Sequence, residues 1–185
     1  LHEFAYGPTN LNPHYGPSRN PWDPDRMTGG SSGGSGGAVA TGCSYASIGT
    51  DSGGSVRIPA AFCGVVGLKP TYGRISRAGI FPLSWSQDHA GPLTRTVADA
   101  AITLQALAGF DPADPGSSRQ PVPNFSRGLT AGVKGLRLGV PKEFFWDEVD
   151  PEVAGAVRKA VAVLAGLGGS VREVHWPMAA EARAL

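Results

Sequence analysis

The sequence predicts an α/β fold, and three observations carry that prediction. Leu136, Leu138 and Val140 alternate as in a strand, and Val153, Val157, Val161, Leu164 and Leu167 then form an apolar helical stripe. Ser170 to Trp176 reads as a second strand, so the pair requires a crossover and runs parallel. With 185 residues the chain is long enough for one domain with its own core. Its 27 glycines and 16 prolines exceed a fifth of the residues, which in a folded chain means many tight turns and close backbone approaches.

Taken in order, residues 1–28 read as loop, broken by Gly7-Pro8, Asn12-Pro13, Gly16-Pro17 and Asn20-Pro21. After the Gly/Ser run at 29–37, Ala38 to Thr41 suits a helix and Tyr45 to Thr50 a short buried strand. Cys63 to Leu68 reads as another buried strand, ended by Lys69-Pro70. Thr96 caps a helix through Leu107, with Asp99 in the capping-box position and Gly109 as the stop. Residues 111–135 form a Pro/Gly/Ser-rich connection, and 136–140 the next strand. Asp150 caps a helix whose first residue is Pro151 and whose end is Gly168-Gly169. The chain opens at Leu1 within a loop-like segment and stops in a helix-forming run, 179–185, without a stop signal. Both ends therefore read as interior points of a longer single domain.

Sixteen basic and fifteen acidic side chains leave a formal charge of +1, so electrostatics make no case for nucleic acid or membrane as a partner. No apolar run has membrane-spanning length, and no signal-peptide pattern opens the chain. Cys43 and Cys63 are too few for a disulfide framework and lack metal-ligand spacing; both are expected as small core residues. The expected setting is reducing and cytoplasmic, with no cofactor and no metal. Homo-oligomer formation stays open.

The functional question sits in residues 29–37, GGSSGGSGG. A linker would have this composition, yet Ala38-Val39-Ala40 follows with no polar margin. Gly29-Gly30-Ser31-Ser32-Gly33 also fits the G-x-S-x-G nucleophile elbow, but that elbow needs a strand before it. Pro21 to Arg26 cannot be a central strand. No Lys-Ser/Thr follows the glycines, so a phosphate loop fails as well. A second cluster, Asp51-Ser52-Gly53-Gly54-Ser55, suggests another chemistry. Glycine lets backbone N–H groups converge on an oxyanion, and serine supplies a nucleophile or a proton-passing hydroxyl. The pair points to a serine hydrolase whose base is not histidine.

GGSSGGSGGAVATG followed by ASIGTDSGGSVRIPAAFCGVVGLKPTYGRISR resembles the amidase signature family, strongly over residues 1–110 and loosely beyond. The flanks LHEFAYGPTNLNPHYGPSRNPWDPDR and PLSWSQDHAGPLTRTVADAA are similar to it too. The resemblance implies an α/β/α fold with a mixed, largely parallel sheet. It also implies hydrolysis of a small-molecule amide, through a serine acyl-enzyme, to an acid plus ammonia or an amine. The implied catalytic pair is Ser55, the nucleophile, and Ser31, a bridging serine preceded by a cis peptide. The oxyanion amides match Ser52, Gly53, Gly54 and Ser55, with Asp51, Arg57 and Ser32 in support. The family's third triad member, a lysine, lies upstream of the first motif, before Leu1. The 185 residues by themselves are therefore expected to be inactive. His2, His14, His89 and His175 are expected to be structural or exposed, and Lys69 is not the base. Ile58 follows Arg57 where the A subunit of the tRNA-dependent amidotransferases carries glutamine, which favours a general amidase. That amidotransferase component is the alternative, together with a non-catalytic remnant of the fold.

Overall fold

The computed structural model describes residues 1–179 and residue 181. The helix-forming run at the end of the chain thus lies largely outside the described residues. The chain divides into two compact units, Leu1–Arg127 and Gly128–Leu185.

The first unit opens with two small antiparallel ribbons, β1 (Leu11–Asn12) with β2 (Gly16–Pro17) and β3 (Arg19–Asn20) with β4 (Asp23–Met27). The sequence alone reads this segment as loop. Its strands are short and edge-like, where prolines such as Pro17 and Pro24 are tolerated because no central ladder needs their N–H. The ribbons also serve the neighbouring helix. Asn20 Nδ2 donates to Phe62 O (2.8 Å) and Trp22 Nε1 to Cys63 O (2.8 Å), satisfying carbonyls that helix α2 (Arg57–Cys63) leaves unpaired at its end.

Helix α1 spans Gly33–Ala40, so most of the Gly/Ser run is helical. Propensity opposes a helix of this composition, and burial supplies the reason it forms. Gly33, Gly36 and Val39 make one buried stripe. A side chain at Gly36 would meet Pro59 O at 3.2 Å and Cys63 Sγ at 3.3 Å, so α1 and α2 approach as closely as glycine permits. The tether reading fails on this contact.

Three strands form the central sheet in the order β5 (Ala46–Asp51), β7 (His89–Thr94), β6 (Val66–Gly67). Both pairings are antiparallel, with Ile48 opposite Pro92 and Asp51 opposite His89. The Cys63–Leu68 strand is shorter than the sequence suggests. Cys63 ends α2, Gly64 takes a left-handed conformation (φ 66°), and only Val66–Gly67 pair. Pro59 masks the helix in the sequence, yet it sits in the first turn, where no N–H partner exists to be lost. Strand β7 is hidden in the sequence by Gly91 and Pro92. The Pro92 carbonyl accepts from Leu68 N–H (3.0 Å), so the missing Pro92 N–H faces the side where the short β6 has already ended. Val39, Val56, Ala60 and Leu93 form the core between the helices and the sheet; Ile75, Ala90 and Leu104 form a second cluster. Helix α3 (Val97–Leu107) is capped as expected, Thr96 Oγ1 accepting from Asp99 N–H at 3.1 Å.

The second unit is the predicted strand–helix–strand. Strand β8 (Arg137–Pro141) pairs in parallel with β9 (Ser170–Val174), and α4 (Pro151–Gly166) is the crossover, with Asp150 accepting from Glu152 N–H. The α/β class holds. Among the described residues the parallel pairing is confined to β8–β9, where a crossover helix joins neighbouring strands.

Candidate active site

The site grows from the two ends of strand and helix that the Gly/Ser clusters join. Strand β5 ends on Asp51, loop 52–56 follows, and α2 begins at Arg57. Asp51 is fully buried, and both carboxylate oxygens are occupied. Oδ1 accepts from Gly54 N–H (2.8 Å) and Arg57 Nη2 (2.9 Å); Oδ2 accepts from Val56 N–H (3.1 Å), Arg57 N–H (3.3 Å) and Arg57 Nε (2.9 Å). Burial alone would raise the carboxyl, but the Arg57 guanidinium and the Val56 and Gly54 N–H groups outweigh it and hold Asp51 below its ordinary value. Asp51 thus folds the loop around itself. Gly54 turns at φ 135°, a conformation open to glycine.

That arrangement sorts the loop amides. Gly54, expected among the oxyanion donors, gives its N–H to Asp51 instead. The N–H groups of Ser52, Gly53 and Ser55 have no hydrogen-bond partner among the described residues. Gly53 is exposed, while Ser52 and Ser55 are half-buried.

The first cluster meets this loop directly. Ser32 N–H donates to Ser55 O (3.1 Å), and Ser32 Oγ accepts from Thr50 N–H (3.1 Å) at the end of β5. Gly49 makes room for it, since a Cβ there would overlap Ser32 Oγ. Ser31, one residue before, is wholly buried, and its Oγ has no hydrogen-bond partner among the described residues. The Gly30–Ser31 peptide is cis, as the resemblance implies. Ser35 is a fixing hydroxyl, donating to Ile48 O at 2.9 Å.

A model of the family described as Amidase matches residues 1–185. The chain belongs to the amidase family. It is 58% identical to an amidase of Pseudomonas putida, over 96% of this chain and 37% of that protein. It is 50% identical to the A subunit of glutamyl-tRNA(Gln) amidotransferase from Geobacter sp. (strain M21), over 95% of this chain and 36% of that one. Among solved structures, the A subunit of the Thermotoga maritima glutamyl-tRNA(Gln) amidotransferase superposes with a TM-score of 0.92 at 42% identity. That match covers 96% of this chain and 39% of that one. The chain thus spans little more than a third of the length of the curated relatives it matches. Nothing in these likenesses bears out the expected inactivity of the 185 residues by themselves.

In this amidase-family chain the histidine nearest the loop is a framework residue. His89 Nδ1 faces Gln87 O (2.5 Å) and Asp51 O (3.2 Å), and Nε2 lies 3.2 Å from Lys69 Nζ. Both ring nitrogens are engaged, which leaves neither for a substrate. Cys63 is buried and its thiol raised by that burial, as for a core residue; Cys43 is exposed, against expectation, because it falls in the open turn after α1. No group of three or more metal-ligating side chains occurs among the described residues, and no helix there is long and apolar enough to cross a membrane. Sequence reasoning misses Asp88. This buried carboxylate accepts from Ser52 Oγ–H at 2.5 Å and from the N–H groups of Leu83 and Ser84. It carries no sequence signal of its own, because Gly91 and Pro92 conceal the strand that follows it.

Proposed function

We propose that this chain carries the nucleophile, the relay serine and the oxyanion donors of an enzyme that hydrolyses a carboxylic amide. Ser55 attacks the amide carbonyl, and its proton passes to Ser31. Ser31 in turn relays to a lysine of the Ser-Ser-Lys type that the family resemblance implies. For that lysine to accept a proton, its pKa must fall from about 10.4 towards 7, roughly 5 kcal/mol of differential interaction, which burial can supply. The tetrahedral oxyanion takes hydrogen bonds from the free N–H groups of Ser52, Gly53 and Ser55. The lysine returns that proton through Ser31 to the nitrogen as the C–N bond breaks, ammonia or an amine leaves, and water, deprotonated along the same relay, releases the acid from the Ser55 ester. Asp51 and Arg57 brace the rear of the donor loop, and Ser32 ties the relay segment to the nucleophile loop. The substrate is a small amide, and the chemistry needs no cofactor or membrane; a cytoplasmic setting suits it.

One observation carries the reading. Ser32 bonds to Ser55 O, so the two Gly/Ser segments touch, with the buried and unpartnered Ser31 Oγ beside the contact. Buried hydroxyls nearly always find a partner, and one left free beside a nucleophile loop suits a proton relay. The test is to treat the full-length enzyme with a fluorophosphonate and map the adduct by mass spectrometry. The adduct is expected on Ser55. Labelling of Ser31 with Ser55 unmodified would reverse their roles. A second reading, the A subunit of a tRNA-dependent amidotransferase, is favoured by the 50% identity to that component. Glutaminase activity appearing only with added partner proteins would select it, while turnover of simple amides by the enzyme alone selects the first.

A further inference from the structure

The Ser52 hydroxyl and the Asp88 carboxylate form a pair that the reaction as described does not use. We propose that Asp88 is a positioning residue, which aims the Ser52 N–H at the oxyanion through the Ser52 side chain. The inference rests on the reading of Ser55 as nucleophile and of Ser52 N–H as an oxyanion donor.

Asp88, the residue before β7, and His89, its first residue, anchor the Asp51–Ser52 peptide from the Ser52 side chain and from the Asp51 carbonyl. Its N–H is the proposed donor. Its carbonyl, pointing the opposite way within the same rigid plane, faces His89 Nδ1 at 3.2 Å. The Ser52 side chain is held by Asp88 Oδ1 at 2.5 Å. Asp88 Oδ2 is fixed in turn by Leu83 N–H (2.8 Å) and Ser84 N–H (2.9 Å), so the carboxylate itself cannot swing. His89 is steadied from its far side by Lys69 Nζ. Without these anchors the half-buried Ser52 and exposed Gly53 would have little to orient them, because the Asp51 carboxylate holds only residues 54, 56 and 57. Asp88 therefore does for the front of the loop what Asp51 does for its rear. A hydroxyl–carboxylate bond is among the stronger neutral-to-charged hydrogen bonds, and losing one aimed oxyanion donor costs about 10²–10³ in turnover.

The experiment compares Ser52→Ala, Ser52→Thr, Asp88→Asn, Asp88→Ala and the Ser52→Ala/Asp88→Ala double variant in the full-length enzyme. Initial rates on a small amide and thermal midpoints are read together. Ser52→Ala and Asp88→Ala should each lower kcat by roughly 10–100-fold, with KM within about threefold of wild type. The double variant should be no slower than the slower single one, because both break the same link. Ser52→Thr should recover most of the loss of Ser52→Ala, and Asp88→Asn should lose less than Asp88→Ala, since its amide can still reach Ser52 Oγ. Ser52→Ala is the safeguard against misfolding, because it removes one half-buried hydroxyl. Wild-type turnover in Ser52→Ala, or losses that multiply in the double variant, overturns the proposal. A Ser55→Ala control separates the two layers. If it retains turnover, the nucleophile reading falls and this inference with it; if it is inactive while Ser52→Ala is unimpaired, this inference alone falls.

Discussion

Asp51 shows how much one side chain can decide. It accepts three backbone N–H groups and a two-pronged guanidinium from full burial, so it chooses which loop amides remain free. Replacing it by asparagine leaves Arg57 without its anionic partner and at least one loop N–H unsatisfied. Asp51→Asn is expected to cost about 2–3 kcal/mol of stability by urea unfolding, and to reduce turnover as the loop loosens. The pH dependence has a definite sign. Because the folded carboxyl is held below its ordinary value of 3.8, its contribution is complete above that pH. It is lost as pH falls through the lower folded value. Stability measured from pH 6 down to pH 3 should therefore fall more steeply for wild type than for Asp51→Asn; parallel curves would remove Asp51 from this role.

At the scale of elements, α1 is a helix made by its neighbours. Its glycines disfavour helix by up to about 1 kcal/mol each, and the buried stripe, with Gly33 against Asn10 and Thr28, Gly36 against α2 and Val39 in the core, offsets that. The two faces should respond oppositely to added side chains. Gly34 is exposed, and a methyl group there meets only Leu1 N at 3.9 Å. Gly34→Ala should raise the urea midpoint by the equivalent of about 0.5–1 kcal/mol. Gly36→Leu should lower stability by several times that, because the helices cannot separate without opening the core. In α4, Gly155 also faces open space, and Gly155→Ala should stabilise that helix by a similar increment.

At the scale of the whole molecule, long loops have to be pinned down, and a buried ion pair does this in the first unit. Arg77 Nη2 meets Asp114 Oδ1 at 2.9 Å with both side chains largely buried, and Arg77 Nε and N–H reach Oδ2. The pair joins the segment after β6 to the connection beyond α3, thirty-seven residues apart. The Arg77 hydrogen bonds lower Asp114 to about 2. Its contribution is thus present in full above the unfolded value of 3.8 and disappears as pH falls towards about 2. Asp114→Asn should destabilise the protein by about 2–4 kcal/mol at pH 7, and by much less at pH 2.5, as read from denaturation midpoints. A constant difference between the two pH values would assign the effect to packing instead.

Much of the candidate site can be named from the sequence because it is local. Ser31, Ser32, Asp51 to Ser55 and Arg57 occupy two short contiguous motifs, and glycine-rich turns carry their geometry within a few residues. The caps at Thr96 and Asp150, and the β8–α4–β9 crossover, are legible for the same reason: caps and apolar periods are properties of neighbours along the chain. Tertiary structure decided the rest. It made a helix of a glycine-serine run, because only packing outweighs glycine's conformational freedom. It placed Gly91 and Pro92 in a strand beside β6, where the partner ends before the missing N–H matters. It also turned Asp88 towards Ser52 and Gly54 N–H towards Asp51, since a buried polar atom takes whatever partner the fold brings within reach.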